Sequence, residues 1–152
     1  MYVVSMLPAF TSKGLLPPGL HRATWDELCS RFGGARRRER LLQGLLRVAM
    51  NLRDAGAVNL WLDGSFVTNK PNPNDFDGVW DPSRVDLRKV DPVLIDQDDL
   101  RNGRLRQKAK YHGELMVSSI ERRSGLPFEQ FFQQTPEGDV KGIVLLDLRT
   151  LP

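Results

Sequence analysis

Apolar residues recur three or four apart at Leu41, Leu42, Leu45, Leu46, Ala49 and Leu52. That stripe predicts an amphipathic helix from about Arg36 to Ala55, with Gly56 as its C-cap. A shorter helix is predicted just before it. Thr24 is a good N-cap, Glu27 stands at the capping-box spacing, and Gly33-Gly34 end the element. The pattern then changes. "VNLWLDG", "FDGVW" and "KGIVLLDLR" are short apolar runs that read as strands, the last apolar enough to be covered on both faces. "DPVLI" is a further strand candidate, placed at an edge or delayed by Pro92. A second long helix is predicted from about Leu100 to Arg123, started by Asp98 or Asp99. A short helix within "SGLPFEQFFQQT" would bring Phe128, Phe131 and Phe132 to the core.

Residues 1–20, with "LLPPGLH", hold too much proline and glycine for a regular element and read as an irregular arm whose leucines tuck against the body. Residues 21–152 then form one domain. Helices followed by mixed strands and helices predict an α+β (α/β-like) fold on a small mixed sheet.

Composition narrows the class. The 152 residues are 40% apolar and 27% charged, ordinary for one globular domain. The single cysteine, Cys29, rules out an internal disulfide framework or a cysteine zinc cluster. "MYVVSMLPAF" lacks a basic leader, and no run approaches a membrane span, so the expected setting is the cytoplasm, with no membrane partner. The net charge of +3 permits a nucleic-acid partner without requiring one. Much of the positive charge sits in "ARRRER" and "RNGRLRQKAK". On the second run, Arg101, Arg104, Lys108 and Tyr111 would share one helix face, and Arg106, Lys110 and Glu114 another.

The chemistry concentrates in "WLDGSFVTNKPNPNDFDGVW". Strands avoid aspartate, yet Asp75 and Asp77 flank Phe76 in a strand-like segment. Alternate strand residues share a face, which sets the two Cα atoms roughly 6.5 to 7 Å apart. Carboxylates that close repel unless a proton or cation lies between them, and Mg²⁺ (or Mn²⁺) with substrate phosphates resolves the conflict. Upstream, Gly64 lets a phosphate approach the backbone, and Ser65 offers a hydroxyl and an amide. Thr68 and Lys70 add a hydroxyl and a cation. Asp63, just before Gly64, reads as structural. His21, His112 and Cys29 have no catalytic partner in sequence, and neither a Walker loop nor a serine-hydrolase elbow is present.

An apolar strand, Gly-Ser, a spacer, then Asp-apolar-Asp resembles the signature of the DNA polymerase β-like nucleotidyltransferase superfamily. It is most similar to its minimal single-domain bacterial members, many of them toxin–antitoxin components. The resemblance implies a nucleotidyltransferase-like fold and transfer of an NMP from an NTP such as ATP to an RNA (tRNA included) or protein hydroxyl. It implies phosphate contacts from Gly64 and Ser65 and metal ligation by Asp75 and Asp77; Thr68 and Lys70, and Lys108 and Lys110 on the basic helix, are nucleotide-binding candidates by their position and charge. It also implies a third carboxylate on a neighbouring strand: Asp91, at the head of "DPVLI", or alternatively Asp147 in "GIVLLDL". Phe66 replaces the Arg or Tyr usual after Gly-Ser. Two other readings stay open: an inert module of the same fold that binds a nucleotide or serves as an antitoxin, and a nucleic-acid-binding protein that uses the two basic runs.

Overall fold

The computed structural model describes residues 7–118 and 138–152. The short helix expected in residues 124–135 lies outside them, as does the last part of the helix expected to reach Arg123.

Among the described residues, five strands form one mixed sheet. They are β1 (Gly19–Ala23), β2 (Asn59–Asp63), β3 (Phe76–Trp80), β4 (Gly113–Val117) and β5 (Gly142–Asp147), in the spatial order β1-β5-β2-β3-β4. Pairings β1–β5 and β3–β4 are parallel, whereas β2 runs antiparallel to both β3 and β5. With helices α1 (Trp25–Phe32), α2 (Arg36–Asp54), α3 (Gln97–Arg101) and α4 (Leu105–Tyr111), this is the expected small α+β fold.

One sheet face carries the main core. Leu60, Leu62, Phe76, Trp80, Leu115, Val144 and Leu146 are buried there with Leu28 and Phe32 of α1 and Leu41, Leu45, Val48 and Leu52 of α2. The α2 stripe is thus the one expected from its spacing. Thr24 caps α1 as expected, accepting from the Glu27 amide at 3.1 Å while its hydroxyl donates to Glu27 Oε1 at 3.3 Å. Mid-helix Gly44 has a packing cause: a Cβ there would stand 1.8 Å from the Tyr111 carbonyl oxygen. In β3, a Cβ on Gly78 would press on the Trp61 carbonyl and the Leu115 side chain.

Five expectations change. β1 begins inside the segment read as an irregular arm, and its pairing with β5 makes it a sheet edge; Leu16 is buried as expected, but Leu20 is 48% exposed. "DPVLI" is a 3-10 turn at Pro92–Leu94, because Pro92 sets the first turn and the Asp91 carboxylate accepts from the Val93 amide. The long helix from Leu100 breaks at Asn102-Gly103, where Gly103 has φ +73° and Arg104 φ +58°. Asp96 rather than Asp98 or Asp99 caps α3, and buried Asp99 accepts from the Arg106 and Gln107 amides to start α4. The chain then leaves α4 through left-handed His112 (φ +67°) and becomes β4, so Glu114 is a strand residue. No helix among the described residues is long and apolar enough to cross a membrane.

Candidate active site

The sheet face opposite the main core collects the acidic residues. Asp63 pairs with Asp77 across β2 and β3, and Asp77 with Glu114 across β3 and β4. Directly paired residues share a face, so three carboxylates lie side by side over three adjacent strands. Asp75 stands just before β3 and, by strand alternation, on the same side as Asp77. The predicted pair is therefore present, and Glu114 joins it.

The electrostatics show the crowding. Burial, then the charges of Asp75 and Glu114, a hydrogen bond with Glu114 and the charge of Asp63 push the Asp77 carboxyl up to about 8. A proton held at neutral pH thus relieves the repulsion. Asp75 is raised by burial and by Glu114, with Lys108 and Lys70 working against the shift. Arg104 Nη1 lies 3.7 Å and Lys108 Nζ 3.8 Å from Glu114. Asp63 forms a buried ion pair with Lys141 at 2.9 Å, in keeping with its structural reading. Burial still raises its carboxyl, against Lys141 and the Gly64 amide. Among the described residues, no three His, Cys, Asp or Glu side chains stand as a ready-made metal-binding group.

Gly64 is the tightest point of the site. Its φ is +75°, and a Cβ would lie 2.2 Å from Asp77 Oδ2, so only glycine lets the backbone pass the carboxylate. Ser65–Val67 is one 3-10 turn. Thr68 Oγ1 donates to the Ser65 carbonyl at 2.7 Å and accepts from the Lys70 amide at 3.2 Å. Thr68 thereby shapes the loop.

Arg38, only 7% exposed, holds this loop. Its guanidinium donates to the carbonyls of Phe66 (2.7 Å), Thr68 (2.7 Å) and Lys70 (2.6 Å), and to Phe32 of α1 (3.2 Å), and stacks 5.4 Å from the Phe66 ring. Taken as part of a solvated basic run, Arg38 escapes notice. Its place on the inward stripe, a turn ahead of Leu41 and Leu42, is the signal that marks it.

The other candidates fall elsewhere. Asp91 accepts from Lys110 at 2.5 Å and from the Tyr111 hydroxyl; burial opposes its charge, but these bonds prevail and hold its carboxyl low. Its backbone amide donates to Asn51 of α2. Asp91 and Lys110 thus satisfy each other away from Asp77. Asp147 pairs across from Asn59, at the end of β2 remote from Asp63, about 13 Å along the strand from the acidic row. There it binds Arg149 and caps the following turn. The carboxylates beside Asp77 on neighbouring strands are Asp63, paired with Lys141, and Glu114. Lys108 and Lys70 are the predicted cations that reach the acidic group; Arg101 pairs with Asp98 on α3 instead.

Neither the curated proteins nor the solved structures contain a match to this chain. A family model does match, over residues 8–147, and its description is a family of unknown function. That span includes the Gly-Ser turn, the acidic row and both basic runs, and the chain belongs to this family, DUF6932.

Proposed function

We propose that the chain is a metal-dependent nucleotidyltransferase whose site is the row Asp75, Asp77 and Glu114 beside the Gly64-Ser65 turn. The observation that carries this reading is the juxtaposition of Asp77 with Glu114 across β3 and β4, crowded enough to push Asp77 up to about 8. Half-buried like charges of this kind cost stability and persist where a cation or a reaction uses them. The oxygen-only donor set suits Mg²⁺ or Mn²⁺, and the proton now relieving the repulsion marks where positive charge is wanted. Asp75 and Asp77 would hold the ion, with Glu114 beside them. When bound, it would neutralise the carboxylates and the triphosphate, the electrostatic stabilisation on which phosphoryl transfer chiefly depends.

The chain's own groups have the remaining roles. Gly64 and Ser65 would present backbone to the phosphates, with the loop held by Arg38. Lys70 and Lys108 would bind phosphate oxygens. Glu114 would take the proton of the acceptor hydroxyl as its oxygen bonds to the α-phosphorus. The bond from that phosphorus to the bridging oxygen breaks, and pyrophosphate leaves. Each α-labelled NTP, incubated with Mg²⁺ or Mn²⁺, total RNA and cell extract, tests this. Label should reach RNA or protein with the wild-type chain. It should not with Glu114→Gln or the Asp75→Ala/Asp77→Ala double variant; transfer by those variants would refute the assignment.

The second reading, an inert nucleotide-binding or antitoxin module on the same framework, draws on the two cations already flanking Glu114. Nucleotide binding without incorporation under any of these conditions would establish it.

A further inference from the structure

The N-terminal half of α2 presents Arg36, Arg37 and Arg40, all exposed. They line a groove of about 770 Å³ with Glu39, Gln43, Asn72 and His112. The one acidic member, Glu39, is turned back to accept from the Gly34 amide at 2.8 Å. No ion pair involves Arg36, Arg37 or Arg40 among the described residues, in a chain where Arg88, Arg101, Arg106 and Arg149 all have carboxylate partners. The cationic stripe continues one side of α2 to Arg47, whose guanidinium reaches the Lys110 carbonyl. From Arg36 to Arg47 it is about 16 Å long.

The position of the groove matters. Asn72 lies on the loop that ends at Asp75, and His112 immediately precedes β4, which bears Glu114. The groove therefore runs up to the two segments that deliver the acidic row. Its floor is polar. A protein-binding surface centres on aromatic and aliphatic anchors, and none lines this groove. Unpaired guanidinium groups in a row, with amide and imidazole groups between them, suit phosphodiester oxygens with sugar or base edges alongside.

We propose that this groove binds the phosphodiester backbone of a single-stranded nucleic acid, through Arg36, Arg37 and Arg40, and leads the end of the strand toward Asp75 and Glu114. That the strand end is the acceptor rests on the transferase reading; the grip of the groove does not.

The test is fluorescence anisotropy with end-labelled 20-nucleotide RNA and DNA of the same sequence, and a poly-glutamate peptide, across a salt series. Wild type and an Arg36→Gln/Arg37→Gln/Arg40→Gln variant are compared, with melting temperature as the check on folding. These exposed side chains should leave melting unchanged. The wild-type chain should bind a strand with a steep salt dependence, and the variant's log–log slope should shrink by about 2, the loss of three phosphate contacts on single strands. RNA against DNA identifies the sugar. Equal binding and slope in the variant would overturn the proposal, as would poly-glutamate binding as tightly as either strand, which would make the groove an acidic-protein site. The Asp75→Ala/Asp77→Ala variant should bind the strand at least as well as wild type. If strands bind by this pattern and no label is ever transferred, the groove stands and the transferase reading falls.

Discussion

Replacing Asp77 with Asn should make the protein more stable while removing the transfer proposed for it. In the folded chain the Asp77 carboxyl is raised from 3.8 to about 8 by burial, by Asp75 and by Glu114. In the unfolded chain it titrates near its ordinary value. Below about pH 4 both states hold the proton, and the site costs nothing. As pH rises from 4 toward 8, the unfolded chain releases the proton while the folded chain keeps it, so stability is lost across that window. At about 1.4 kcal/mol per pH unit, a shift of about 4 units sets a ceiling near 6 kcal/mol at pH 8. Asn removes the ionisation of Asp77 but leaves Asp75 beside Glu114, and its amide replaces the shared proton imperfectly. About half the ceiling, roughly 3 kcal/mol, should be recovered, or roughly 6 to 12 °C in Tm for a chain of this size. The assay is thermal unfolding of wild type and Asp77→Asn at pH 5 and pH 8, each with and without Mn²⁺. The variant should gain at pH 8 far more than at pH 5, and Mn²⁺ should stabilise wild type at pH 8 but not the variant. An equal or lower Tm for the variant at pH 8, or a gain independent of pH, would show that the row is not under electrostatic stress.

Three further outcomes bear on the framework. Arg38→Ala should lower stability by about 3 to 5 kcal/mol, since four carbonyls lose a charged donor, and protease cleavage near Lys70 should accelerate in step; intact resistance there would deny Arg38 its hold on the loop. Gly44→Ala gains about 1 kcal/mol in helix propensity but sets a Cβ 1.8 Å from the Tyr111 carbonyl, so chemical denaturation should show a net loss of about 2 kcal/mol or more; a stabilised variant would refute the close α2–α4 crossing. Burial, with Glu39 and Asp26 nearby, pushes the Cys29 thiol up to about 11, so iodoacetamide at pH 8 should label it at least ~100-fold more slowly than a free thiol, with a tenfold rise per pH unit; rapid labelling would contradict its surroundings.

The parts legible in the sequence are those in which local pattern and global packing agree. The α2 stripe, the Thr24–Glu27 capping pair and the apolar runs of β2, β3 and β5 each state their own periodicity. β1 and β4 do not. β1 is a five-residue edge strand that follows two prolines, and β4 is separated from α4 by His112 alone, so its Leu115 and Val117 extend the helical reading. In the candidate site, Gly64 and the two aspartates are contiguous enough to recognise. Glu114 is not, because its place beside Asp77 is set by the β3–β4 register, a pairing between distant segments that no local spacing encodes. Asp91 offered the better local string and is instead consumed by Lys110 and Tyr111. Arg38 was hidden by its neighbours: three arginines in a row read as surface, although only one of them faces inward.

The position of β5 has a consequence for biogenesis. This strand, the last of the five in chain order, lies between β1 and β2, and among the described residues β1 has no other strand to join. On the ribosome, β1 therefore emerges first and waits, unpaired, while nearly all of the described chain follows. The Gly-Ser turn and the acidic row belong to β2, β3 and β4 and can assemble earlier, but β2 keeps an open edge until residues 142–147 are released. Until then a nascent chain of this kind carries two bare strand edges. The two gaps close together, when that one strand enters between β1 and β2.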